Sequence, residues 1–466
     1  MDHPTRQSGW TDGHLKRNLV VNNLTLIYRS PGQIKPRHKQ WRPHTPEQIG
    51  LIEKSLREHG CIEPVLIDSE DRVVCGQAVV IAAQNIGLNS IPVICVDHLS
   101  DEQLRAYAIK ANRIADIAGY DEALLALELN EINELLGGDL DFADFGFEPA
   151  ELDRILGLTD IERDELLDVV PDILPEQAVS KPGDLWLIGD HRLYCGDALI
   201  NDSYVILLDG QLAQLVLSDL PYNLPAKTIS GNGKFQHRDF LQAAGELSPD
   251  QFTRWLTKAF RLMRAHSVDG SLHMLFMGRQ FLLELLRAGK IVYDDLKDIV
   301  TWVKKSGGQG PLYRSQTEFI VIYKSGKGRY INNVVLGKYG RNRTNAWFYD
   351  GMNTPSAERD ELLASHPTCK PVQLLADAIL DASTKGSIVL DPFAGSGSLI
   401  LAAHKVQRRA YAMELDPLYV DVSLRRIYST LGIDAVRASD GASFADLDAQ
   451  AREKSDSNKT AKESAV

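Results

Sequence analysis

Two short stretches, far apart in the chain, hold residue types that can do chemistry together: Ser218-Asp219-Leu220-Pro221-Tyr222-Asn223 and Asp391-Pro392-Phe393-Ala394-Gly395-Ser396-Gly397-Ser398. The first sets a carboxylate, a prolyl kink and an aromatic ring side by side. That combination can accept hydrogen bonds and offer a ring face to a planar partner. The second is small and glycine-rich, so its backbone can approach a ligand where any Cβ would collide. Behind it, Ala410-Tyr411-Ala412-Met413-Glu414 reads as a buried strand ending in an acid. Gly395 and Glu414 are 19 positions apart (414 − 395), near the roughly 20 expected for an acid that accepts from ribose hydroxyls at the end of the next strand. A dinucleotide site fits this loop less well, because the third glycine of GxGxxG is missing and Phe393 opens the turn.

These loops need strands to carry them. Leu212 to Leu217 and Ile388 to Leu390 are compact apolar runs, as expected of parallel strands buried on both faces. Leu399–Ala403 and Val372–Ala382 read as helices, and Asp416-Pro417, with Tyr419 beyond it, starts another. Lys181-Pro182-Gly183-Asp184 is a turn signal. Leu185–Ile188 and Arg192–Asp197 then form an expected hairpin ending in a loop acid, Asp197. Helices at Pro249–Met263 and Arg279–Leu286 flank an apolar strand, Ser271–Met277, and Leu431–Ala438 is a last helix or strand. An Asp-x-Pro turn closing an ordinary strand would explain residues 219–221 alone; the glycine loop plus acid is what tips the balance.

At 466 residues the chain needs two or three domains. No apolar run approaches a membrane span, and Met1–Arg17 is polar, without a signal-peptide core. Five cysteines, Cys61, Cys75, Cys95, Cys195 and Cys369, show no CxxC spacing, which points to a reducing cytoplasm and away from a structural zinc or disulfide scaffold. The formal net charge of −12 is unevenly spread. Residues 223–345 hold 20 Lys+Arg against 9 Asp+Glu, or +11, leaving −23 elsewhere. Within Lys304–Arg343 nine basic residues face one acid, Glu318. A solvated basic surface is the plain explanation. Interleaved Trp302, Tyr313, Tyr323, Tyr330, Tyr339 and Trp347 favour nucleic-acid binding over it.

In the N-terminal part, Thr45-Pro46-Glu47 starts a helix with apolar face Ile49, Ile52, Leu56, and Gly60 ends it. Strands follow at Pro64–Asp68 and Arg72–Gly76, a helix at Ala78–Asn85 and a strand at Ile91–Val96. This order, with the phrases IEKSLREHGCIE, GQAVVIAAQNIG and Ile91-Pro92-Val93, resembles the ParB/sulfiredoxin-like nucleotide-binding domain over roughly residues 22–115. The family's Gly-x-x-Arg turn falls on Gly76-Gln77-Ala78-Val79, so Val79 stands where that family has its phosphate-binding arginine. A DNA-contacting or scaffolding role is therefore expected, not nucleotide hydrolysis. Helices at Asp101–Asn112 and Asp121–Leu136 continue the ParB-like pattern.

Asp219 to Tyr222 is similar to the (Asp/Asn/Ser)-Pro-Pro-Tyr motif of amino-group DNA methyltransferases, with Leu220 replacing the first proline. Residues 391–397 resemble the family's Phe-x-Gly-x-Gly methyl-donor loop. His366-Pro367-Thr368-Cys369-Lys370-Pro371 resembles the motif that packs against the methionine end of the donor. None of the cysteines follows a proline, so the Pro-Cys nucleophile of cytosine-C5 enzymes is absent. The order of catalytic loop, basic stretch and donor loop is similar to the permuted β-type enzymes. The resemblance implies a doubly wound, Rossmann-like α/β sheet at 181–440 with a target-recognition region about 223–350. A disordered leader (1–17), a smaller α+β ParB-like domain (18–157) and a linker (158–180) would precede it, and a disordered tail (441–466) would follow. It also implies S-adenosylmethionine as donor and N6 of a flipped adenine in double-stranded DNA as acceptor. Asp219 and the Leu220 carbonyl would accept from the amine, Tyr222 would stack on the base, and Pro221 would hold the turn. Asp197, Thr368, Lys370, Pro371, Asp391, Phe393, Gly395, Gly397, Glu414 and Asp416 would surround the donor. N4 of cytosine is the nearest alternative acceptor, and a non-catalytic DNA-binding regulator is the alternative from another class. A homodimer and a cognate restriction nuclease are compatible with the resemblance, and neither is legible in the chain. No metal is expected.

Overall fold

The structure is a computed structural model that describes residues 24–463 except 38–40, 118, 137–141, 158–164, 172–177, 225–240, 309, 311, 335–340 and 352–368. The expected disordered leader, Thr368, Tyr339 and part of the target-recognition region lie outside the described residues. The chain divides into two compact units, Met1–Phe147 and Glu148–Val466.

The first unit is built on strands β1 (Leu26–Arg29), β2 (Val65–Ile67), β3 (Val73–Cys75) and β4 (Ile91–Cys95), in the order β1-β4-β2-β3. Its first long helix, Pro46–His59, begins as the sequence predicts: the Thr45 side chain accepts from the Gln48 N–H, Pro46 takes the first position, and Gly60 closes the helix at φ +76. Helix Gln77–Asn85 buries Ala78, Val80, Ala82 and Ala83 against that sheet, and Val79 packs on the same apolar cluster. Helices Asp101–Ala115 and Glu122–Leu135 follow. Strand β1 was not read from the sequence: its apolar run is short, Leu26 to Tyr28, and alternates between exposed and half-buried.

The second unit is organised by ten strands: β5 (Leu185–Ile188), β6 (His191–Cys195), β7 (Ala213–Asp219), β8 (Ser267–Met277), β9 (Asp295–Gly308), β10 (Ser315–Lys324), β11 (Ala346–Phe348), β12 (Ile388–Asp391), β13 (Arg409–Glu414) and β14 (Val436–Arg437). They form one sheet in the order β11-β9-β10-β8-β7-β12-β13-β6-β5-β14. The central strands β8, β7, β12, β13 and β6 are mutually parallel. The chain winds outward from β7 to β8 on one side and from β12 to β13 on the other. The β7/β12 boundary is therefore the switch point, where doubly wound sheets open a crevice at the strands' carboxyl ends. Val389 lies opposite Leu215 and Leu390 opposite Val216 across it. Helices cover both faces: Val372–Ala382 and Ser398–Lys405 pack into one apolar layer, Pro249–Ala265 and Leu282–Val292 into the other.

Three sequence expectations need correction. Residues 148–180 were expected as domain end plus linker, yet their described parts pack on the catalytic unit. Asp153 of helix Pro149–Ile155 forms a buried ion pair with Arg408 at 2.7 Å, and Asp421 accepts from Val179 and Ser180. The tail is not wholly disordered: helix Phe444–Glu463 sets buried Phe444 edge-on to Trp186 and pairs Asp448 with Arg425. Most of these partners lie far away in the chain, so the charged composition of the two segments gave no sign of them. The aromatic part of the basic-aromatic stretch is largely structural. Trp302, Tyr323 and Trp347 are buried in the sheet, and Arg341 and Arg343 are neutralised by Asp377 and Asp381. Tyr313 alone of the six aromatics is widely exposed among the described residues. Most of 223–350 is thus sheet and covering helix.

Candidate active site

Strands β7 and β12 end side by side and deliver the two chemically loaded loops to one rim. Ser218 Oγ donates to Asp391 Oδ1 at 2.6 Å, and the Phe393 N–H donates to the same oxygen at 3.0 Å. Burial pushes the Asp391 carboxyl up to about 7, against those two bonds. Next comes the glycine turn. Gly395 and Gly397 sit at φ +52 and +78, the left-handed region that favours glycine. Gly397 caps helix Ser398–Lys405. A Cβ on Gly395 would meet no protein atom within 4 Å, so its outer side is open.

Glu414, at the end of β13, binds this turn from below. Its carboxylate accepts from the N–H groups of Gly395 and Asp416, each at 2.9 Å, one on each oxygen. The backbone N–H of Leu415 bonds the same carboxylate, which leaves only part of its acceptor capacity for a ligand. Burial raises this carboxyl to about 7 as well. Asp416 caps helix Pro417–Leu431 by accepting from Leu418. Phe393 lies beside Trp255 with ring centroids 5.5 Å apart. Asp197, in the loop after β6, is held by the Leu199 N–H and Gln242 Nε2.

The turn from Asp219 to Tyr222 is more tightly wired than the sequence predicts. Leu220 is buried at 2% exposure and packs into the core, where the usual proline would stand. Lys370, from the turn before helix Val372–Ala382, reaches Asp219 Oδ2 at 2.6 Å and Glu318 Oε2 at 3.3 Å. The Tyr222 hydroxyl donates its proton to Glu318 Oε2 at 2.9 Å. Lys304 Nζ contacts the other Glu318 oxygen. Burial raises the Asp219 carboxyl; Lys370 opposes that shift and the Glu318 charge adds to it. Burial alone would raise Glu318 too, but Lys370 and Lys304 prevail and hold it down at about 2. Asp219 Oδ1 is buried and has no hydrogen-bond partner among the described residues. An orphaned carboxylate oxygen is costly unless a ligand completes it.

Glu318, Lys304 and Arg426 were not picked out from the sequence as site residues. Glu318 did carry a signal, being the single acid in a long basic run. Arg426 carried none: it lies inside a helix and bonds Ser396 O, Ser396 Oγ and Ser398 Oγ with Nη1 and Leu167 O with Nη2. Cys369 contacts Ser396 Oγ at 2.8 Å, tying the segment around Lys370 and Pro371 to the glycine turn. A separate groove of about 690 Å³ runs along Arg254, Lys258 and Arg261 and includes no residue of either loop. No group of metal-ligating side chains occurs among the described residues, and no helix is long and apolar enough to cross a membrane.

The DNA methylase family profile matches residues 213–425, and the ParB N-terminal domain profile matches 16–113. The type II methyltransferase M.HpaI of Haemophilus parainfluenzae is 25% identical over 265 residues, 53% of this chain and 77% of that protein. The ParB-like nuclease domain-containing protein YnaK of Escherichia coli (strain K12) is 34% identical over 84 residues, 18% of this chain and 97% of that protein. The crystal structure of M1.HpyAVI aligns with 50% of this chain and 97% of its own at 18% identity and a TM-score of 0.36. The chain is homologous to type II DNA methyltransferases and to ParB-like proteins: it carries a methylase domain of the N6/N4 family, whose members use S-adenosylmethionine, behind an N-terminal ParB domain.

Proposed function

We propose that this chain methylates the exocyclic N6 of an adenine swung out of duplex DNA. The observation that carries the reading is the orphaned Asp219 Oδ1 at the end of β7, beside the open glycine turn at the end of β12. S-adenosylmethionine supplies an electrophilic methyl group when bound. Its fit to this chain rests on the space above Gly395, which a Cβ would fill, and on the acceptor capacity that Glu414 keeps beside that turn. Phe393, Asp197, Asp391 and Asp416 would border the donor, with Lys370 and Pro371 beside its methionine end.

The acceptor amine is a poor nucleophile because its lone pair is delocalised into the base. Asp219 Oδ1 and the Leu220 carbonyl, accepting its two N–H bonds, favour a pyramidal nitrogen with the lone pair aimed at the methyl carbon. Tyr222 takes the base face, and Pro221 fixes the turn. The lone pair forms the new N–C bond as the C–S bond breaks with its electrons left on sulfur, and the surplus amine proton passes to Asp219. Holding both reactants at attack distance in a dry pocket contributes most of the acceleration.

Asp219 favours adenine over the N4 amine of cytosine, which would use the same acceptor. The test is incubation with labelled donor and duplex DNA followed by nucleoside analysis. N6-methyladenine is expected; N4-methylcytosine alone would overturn the adenine assignment, and donor binding without turnover would leave a DNA-binding regulator. Methylation-sensitive sequencing of host DNA with and without the protein would give the recognition sequence and a place in restriction-modification. The ParB domain is assigned a DNA-contacting or scaffolding role, because Val79 packs on the core where a phosphate-binding cation would be needed.

A further inference from the structure

Glu318 lies outside both loops, yet it is wired to three residues around the catalytic turn. It sits mid-strand on β10, opposite Trp302 of β9, with Phe319 next to it opposite Met277 of β8. A strand bonded on both sides fixes a side chain more firmly than a loop does. From there one oxygen accepts the Tyr222 hydroxyl and meets Lys370, while the other takes Lys304. Lys370 is shared with Asp219, so two cations and two carboxylates balance. The charged and titratable groups around this cluster are Lys304 from β9, Lys370 and Cys369 from the turn before helix Val372–Ala382, Asp219 from β7, Tyr222 beyond it, and Asp391 from β12.

We propose that Glu318 is a positioning residue for methyl transfer: it pins the Tyr222 ring and draws part of Lys370 away from Asp219, leaving Asp219 basic enough to take the amine proton. The proposal rests on the function assigned above. Without the Glu318 charge, Lys370 belongs to Asp219 alone and an uncompensated cation faces the acceptor. A carboxylate so paired is a weaker base. The burial and like-charge repulsion that raise the Asp219 carboxyl act in the direction this role requires.

The two duties separate by substitution. Glu318→Gln keeps an oxygen for the Tyr222 hydroxyl and removes the charge. Glu318→Ala removes both, and Tyr222→Phe removes only the hydroxyl anchor. Single-turnover methyl transfer to DNA is measured against pH, with calorimetric donor binding reporting that each variant folds. For Glu318→Gln the acidic limb should move down by about one pH unit and the plateau rate should fall, with KM for DNA little changed. Tyr222→Phe should raise KM for DNA several-fold and move the limb up, because the hydroxyl also bonds Asp219 and holds its carboxyl down; Glu318→Ala should raise KM and lower the plateau rate. A Glu318→Gln profile that superimposes on wild type overturns the assignment. So does a Gln variant that raises KM without moving the limb. Wild-type protein that leaves DNA unmethylated overturns the reaction itself, a result visible before any variant is compared.

Discussion

The Gly395→Ala substitution separates the role of the glycine turn in the fold from its role toward a ligand. Gly395 stands at φ +52, and the added Cβ would find no protein atom within 4 Å. The cost to the free protein is therefore the left-handed backbone alone, about 1–2 kcal/mol, which lowers Tm by a few degrees, roughly 3 °C for a unit of this size. The donor should suffer more, because the methyl group enters the space assigned to it. Overpacking of about 1–3 kcal/mol corresponds to a roughly 5- to 150-fold rise in Kd for S-adenosylmethionine. Gly397→Ala is the control with the opposite balance. Its Cβ would come 3.0 Å from the Ser423 Cβ at φ +78, and Ser423 is the residue whose hydroxyl holds Gly395 O at 2.8 Å. That variant should lose more stability than Gly395→Ala. Calorimetry with S-adenosylmethionine and donor-free melting curves decide between them. A Gly395→Ala protein that binds the donor as wild type does would refute the placement of the donor over this turn.

Asp219→Asn should retain S-adenosylmethionine binding and lose methyl transfer by about a hundredfold or more, as expected for removal of a proton acceptor; unchanged turnover would show that the chemistry lies elsewhere. Glu414 is held near 7 by burial, and a protonated carboxyl offers ribose hydroxyls fewer acceptors. Donor Kd should accordingly rise as pH falls below about 7, by at most about tenfold per unit, and Glu414→Gln should flatten that dependence. The same raised carboxyls, Asp391 and Glu414, keep protons that the unfolded chain releases. Their contribution to stability is therefore present at low pH and is lost as pH rises from about 4 through 7; His191, pushed down to about 4 by burial, works in the opposite sense over about 4–6.5. Asp153→Ala should destabilise the second unit by about 3–5 kcal/mol, because it leaves Arg408 buried at 2% exposure without that partner. Guanidinium unfolding measures this, and a loss under 1 kcal/mol would contradict the clamp.

Local chemistry wrote a good part of this protein into its sequence. Thr45-Pro46 and Gly60 bound a helix wherever they occur, because capping and backbone preference act within one turn. Apolar runs ending in Asp219, Asp391 and Glu414 announced buried parallel strands with acids at their carboxyl ends. Only the tertiary structure could set β7 beside β12, since 172 residues separate Asp219 from Asp391 (391 − 219) and no local signal selects a neighbour in a sheet. For the same reason part of the basic-aromatic run misled. Its charges and rings look alike in sequence whether they meet solvent or, like Arg341 with Asp381 and Trp302 in the core, meet partners from elsewhere. The links from Lys370 to Asp219 and Glu318 and from Arg426 to the Leu167 carbonyl join residues 52 to 259 positions apart. Such contacts exist only once the sheet has closed, because burial and charge pairing are properties of the packed chain and not of any segment of it.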